Sequence, residues 1–132
     1  MIDYQNEIFT AIKKAVAAGM PEANVTGQVG ADPSRLPCVQ AEEIGNLPVE
    51  WDSGAHSEYA LLTWRVRAYS NLKSGRIAQA RKLLSIVDEA MENMNFTRRT
   101  FEPLPALYNN SAYEIEATYT AVIRSDGLLF RR

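Results

Sequence analysis

The sequence predicts an α+β fold: a two-layer sandwich in which two helices cover one face of a mainly antiparallel sheet, in the order α-β-β-α-β-β-β. Three observations lead there. Segments 3–18 and 76–94 repeat apolar residues every three or four positions, the period of a helix with one buried side. Segments 59–69 and 111–124 alternate apolar and polar residues, the period of a strand with one buried face. Turn-forming stretches join successive strands, so neighbours pair antiparallel and the helices are left to pack on one side.

The first helix, 3–18, carries Ile8, Ile12 and Val16 at steps of four, with Phe9 beside them. Asp3 is placed to cap it, and Gly19 followed by Pro21 is a stop signal. Val25 to Val29 reads as a short extended lead-in to a strand over 36–44, where Pro37 suits a first residue or an edge. The stretch from Gly45 to His56 holds two glycines and a proline without a clear period, and reads as a long loop. In the strand 59–69, Leu62, Trp64, Val66 and Ala68 share one face, while Thr63, Arg65 and Arg67 share the other.

Asn71 to Gly75 is a turn, and Ser74 is placed to cap the helix over 76–94. Ile77, Ala80, Leu84, Val87, Met91 and Met94 form that helix's narrow apolar seam. A strand over 96–101 follows. Glu102 to Asn110, with two prolines, reads as a second long loop. In the strand 111–124, Tyr113, Ile115, Ala117, Tyr119, Ala121 and Ile123 face the core; Glu114, Glu116, Thr118 and Thr120 face away. Ser125-Asp126-Gly127 turns the chain back into a last short strand over 128–130.

With 132 residues the chain has the size of a single domain over 1–132. It can bury roughly two-thirds of its unfolded surface without a disulfide or metal staple. Its single cysteine, Cys38, excludes an internal disulfide and a cysteine-based zinc site. No apolar run approaches the ~20 residues of a membrane helix, and no basic leader precedes the first helix, so a cytoplasmic site of synthesis is expected. The net charge of −2 argues against general nucleic-acid binding. That near-neutral total hides a split. Residues 1–66 carry nine acids and four bases; residues 67–132 carry seven acids and ten bases.

Several residue sets invite a chemical reading. His56, the only histidine, sits near Glu50, Asp52 and Glu58, a conceivable carboxylate–histidine metal site. Their spacing matches no ligand motif, and solvation of an exposed loop explains the same charges more simply. Cys38 with His56 as base would make a nucleophile, but its neighbours Pro37 and Val39 favour a packed strand thiol. Glu42 and Glu43 with Glu114 and Glu116 would make paired carboxylates; cross-strand ion pairs of Arg65 and Arg67 with Glu114 and Glu116, on one sheet face, explain those four residues without catalysis. Two basic doublets, Arg98-Arg99 and Arg131-Arg132, suit a phosphate backbone or the rim of a protein interface. Trp51 and Tyr108 stand in the two long loops, where such rings anchor interfaces or fold back onto the core. No residue is therefore assigned to catalysis, a cofactor or a metal. The interface set is Trp51, Arg65, Arg67, Arg98, Arg99, Tyr108, Glu114 and Glu116.

Taken in order, these elements resemble the tail-terminator (tail-completion) family of long-tailed, lambda-like bacteriophages. The likeness starts with the N-terminal helix from Ile2 to Val16 and the alternating strand Tyr59–Tyr69. It continues with Asp-x-x-Met-x-x-Met-Asn-Phe at Asp88–Phe96 and the basic strand Thr97-Arg98-Arg99. Tyr-x-Ile-x-Ala-x-Tyr at Tyr113–Tyr119 and the final hairpin to Leu129-Phe130-Arg131 complete it. The 45–58 stretch is bulkier than the family pattern. The resemblance implies a structural virion protein, not an enzyme. It would form a hexameric ring that caps the tail tube, ends tail polymerisation and meets the head connector protein. Its partners would be copies of itself, tail tube protein and head connector, with non-specific DNA in the lumen as a further contact and no membrane. Its place would be the virion tail, after synthesis in the host cytoplasm. The alternatives are another head–tail joining or tail-tube component, and a small ligand- or metal-binding module around His56. The split of charge suits head-to-tail contacts, which close into rings.

Overall fold

A computed structural model describes residues 3–27, 37–49, 59–104, 113–124 and 129–130. The elements run α1 (Gln5–Gly19), β1 (Asn24–Thr26), β2 (Cys38–Val49), β3 (Tyr59–Ser70), α2 (Arg76–Asn93), β4 (Thr97–Leu104), β5 (Tyr113–Arg124) and β6 (Leu129–Phe130). The described strands form one sheet in the order β1-β2-β3-β5-β4, with β6 also beside β5. β6 pairs with Val122 and Ile123, past the end of the β4 pairing at Thr120 and on the same side of β5. All pairings are antiparallel except β1 with β2. Because β5 lies between β3 and β4, those two run parallel to each other, and α2 is the crossover that joins them. The α+β sandwich is as the sequence predicts, with β1 as an additional short strand at the lead-in.

β3 and β5 are the central strands, and their alternation decides where the core sits. Leu62, Trp64, Val66 and Ala68 of β3 and Ile115, Ala117, Tyr119, Ala121 and Ile123 of β5 are all buried on the helix side. Ile8, Ile12 and Val16 of α1, with Ala80, Leu83, Leu84, Val87 and Met91 of α2, close over them in one cluster. The two helices approach closely at Gly19, where a Cβ would stand 2.7 Å from Ile86 Cδ1. The glycine read as a stop signal is thus also a contact point between the helices.

The C-terminus of α2 explains the spacing of its Met-x-x-Met-Asn-Phe segment. Asn95 adopts a left-handed backbone, φ 64°. Its N–H donates to the Glu92 carbonyl at 2.9 Å, and the Phe96 N–H donates to the Met91 carbonyl at 3.0 Å. That is a Schellman ending, and the buried Met91 and Phe96 supply the apolar contact that accompanies it.

Four expectations need correction. Residues 45–49 are not loop: they continue β2, opposite Tyr59 to Thr63 of β3. A bulge between Glu43 and Gly45 lets them do so, inserting Ile44 as the extra residue. Pro48 is tolerated because, among the described residues, β1 covers β2 only at Cys38 to Gln40, which leaves the rest of β2 an edge. Likewise Glu102, Pro103 and Leu104 belong to β4, another edge strand. Neither helix has the expected side-chain cap. Gly75, in a left-handed conformation at φ 83°, stands at the start of α2 in place of Ser74, and Tyr4 stands at the start of α1. Asp3 instead accepts from the Gln5 N–H at 3.2 Å. Finally, Ile77 is exposed, and Leu83 takes its place in the seam of α2.

Candidate functional site

On the sheet face turned away from the helices, register sets up a ladder of charges. Glu42 lies opposite Arg65, and Arg67 lies opposite Glu116. Arg65 Nε donates to Glu42 Oε1 at 3.0 Å, and its Nη2 donates to the same oxygen. Arg67 Nε donates to Glu116 Oε2 at 2.7 Å and stands 3.7 Å from Glu114 Oε1. Burial disfavours the Arg67 charge, but the bond and charge of Glu116 outweigh that and hold it more firmly protonated than usual. Next along the ladder, the buried Tyr69 donates its hydroxyl to Gln40 Oε1 at 3.2 Å. Burial, and then the charge of Glu114, push the Tyr69 hydroxyl well above its usual range.

The other end of this face is less polar. Past the bulge it presents Ile44 and Leu47, both exposed, with Leu61 half-buried opposite Leu47. This face is therefore polar in only part of its area.

On the helix side, one register row crosses four strands: Glu43, Trp64, Tyr119 and Arg98. Both of its ends are charged, acidic on β2 and basic on β4. At the acidic end, burial, and then the nearby charge of Asp3, raise the Glu43 carboxyl above the ordinary carboxylate range; Trp64 opposes this. Glu43 Oε1 and Trp64 Nε1 are both buried, and neither meets hydrogen-bond geometry with any partner among the described residues. We therefore treat them as a polar contact and not as a bond. At the basic end, Asp88 of α2 reaches down to the row. Its Oδ1 accepts the Tyr119 hydroxyl at 2.9 Å and Arg98 Nη1 at 3.4 Å. Burial and then the Asp88 charge lift the Tyr119 hydroxyl above its usual range, against the pull of Arg98.

Beside Asp88 a cleft of about 180 Å³ opens, lined by Arg81, Leu84, Ser85, Asp88, Arg98 and Phe101. Two guanidinium carbons lie over the Phe101 ring, Arg81 at 5.2 Å and Arg98 at 5.1 Å from its centroid. A bulge makes this possible. Residues three apart on a regular strand face opposite ways, but the register shift between Arg98 and Thr100 brings Arg98 and Phe101 to one face. Arg99 and Thr100 turn to the other face, where Arg99 Nε donates to Thr120 Oγ1 at 2.8 Å and the Thr100 and Thr118 hydroxyls share a bond of 2.7 Å. The Arg98-Arg99 doublet is thus two separate positions and not one basic patch.

Of the residues singled out from the sequence, Arg67, Glu114 and Glu116 come together, and Arg65 pairs with Glu42. Glu114 is 4% exposed and lies opposite Tyr69, with Arg67 Nε 3.7 Å away. Cys38 is buried at the start of β2. Trp51, Tyr108, Arg131 and Arg132 lie outside the described residues, as do His56, Glu50, Asp52 and Glu58. Among the described residues, no three His, Cys, Asp or Glu side chains gather as a metal site. No helix there is long and apolar enough to cross a membrane. Sequence reasoning passed over Arg81, Asp88 and Phe101. The readable signal was the stripe Arg81, Ser85, Asp88 at helical spacing beside the apolar seam of α2. No protein-family model matches the chain, and no curated protein does.

Proposed function

We propose that the chain is a structural virion protein of a long-tailed phage. As a homo-oligomeric ring it caps the tail tube, ends tail polymerisation and joins the tail to the head connector. One observation carries this reading: the segments that bear the family likeness are the elements of the fold, in the same order. The quoted motifs lie on α1, β3, the Schellman ending of α2, β4, β5 and β6. The distribution of charge supports it further. Residues 1–66 carry nine acids and four bases, and residues 67–132 carry seven acids and ten bases, a division that suits head-to-tail contacts between copies.

The test is mass measurement across concentration, with and without tail tube protein, joined to electron microscopy of particles made without this chain. A closed oligomer that binds tube ends, and overlong tails in its absence, are expected. A strict monomer that never joins tubes overturns the reading. Normal tails on empty or detached heads would transfer it to a different head–tail joint.

A further inference from the structure

We draw no further inference here: the strongest candidate, the apolar end of the open sheet face where Ile44 and Leu47 of β2 stand exposed beside the half-buried Leu61 of β3, carries nothing because nothing in the structure shows what covers it.

Discussion

The two faces of the sheet solve the problem of buried polarity differently. On the helix side the strands present apolar side chains almost without interruption, and the row Glu43–Trp64–Tyr119–Arg98 places its charges at the two ends. The large aromatic middle of that row is buried, and its one deep hydroxyl is tied to Asp88. On the other face, charge runs into the middle of the sheet. Arg67 sits on a central strand with Glu116 and Glu114 around it, and Glu114 is as buried as many core residues. One face is held mainly by packing, the other by pairing. Packing fails by leaving a cavity, whereas pairing fails by leaving a charge without its partner.

The largest expected effect tests the packed face. Trp64 is fully buried at the centre of β3, between Glu43 and Tyr119 in register. Trp64→Ala should cost about 3–5 kcal/mol, read as a lower denaturation midpoint in urea. That is a large share of a domain's stability, so a chain that fails to fold is also consistent. A loss under 1 kcal/mol would mean that the helix side is not the structural core.

The paired face gives the next effect. Arg67→Met should cost about 2–3 kcal/mol, because Glu114 and Glu116 then share a poorly solvated site with no cation. Arg65→Met provides the contrast. The side chains of Arg65 and Glu42 are 30% and 20% exposed, so water replaces more of the lost bond, and the cost should stay below about 1 kcal/mol. Equal losses in urea titrations of the two variants would remove the distinction drawn between them.

These two faces were not equally legible. The helix side could be read because its signals are periodic: Leu62 to Ala68 and Ile115 to Ala121 alternate without a break, and burial followed that alternation. The other face depends on register, which no single strand carries. Arg65 and Arg67 were expected to meet Glu114 and Glu116 together. In fact Arg65 lies opposite Thr118 on one side and Glu42 on the other, so it pairs with β2. The edges were misread for a related reason. Gly45, Pro48 and Pro103 look like loop residues, yet a bulge accepts the first and an unpaired edge accepts the prolines, and both are properties of the sheet. The cleft was hidden twice over. A bulge turned Phe101 toward Arg98, and only the packing of α2 brought Arg81 to the same ring.

The smallest effect concerns the place where the packed face departs from its own rule. Glu43 is the one acid in the helix-side row, its Oε1 is buried without a hydrogen bond, and Asp3 stands close enough to repel it. Its carboxyl is held above the ordinary carboxylate range. A raised carboxyl means that the folded chain holds this proton more tightly than the unfolded chain does. The resulting stability is present below the unfolded value and is lost as pH climbs through the folded one. At neutral pH the ionised Glu43 is therefore a burden. Glu43→Gln keeps the shape and removes the charge, so it should raise the thermal midpoint at pH 7 slightly, and the advantage should shrink as pH falls through the raised value and vanish below the ordinary carboxylate range. Asp3→Asn should bring part of the same gain, because it removes the second cause of the shift while burial remains. A Glu43→Gln chain less stable than wild type at pH 7 would mean that the carboxylate has a partner, and the contrast between a packed and a paired face would then fail at this residue.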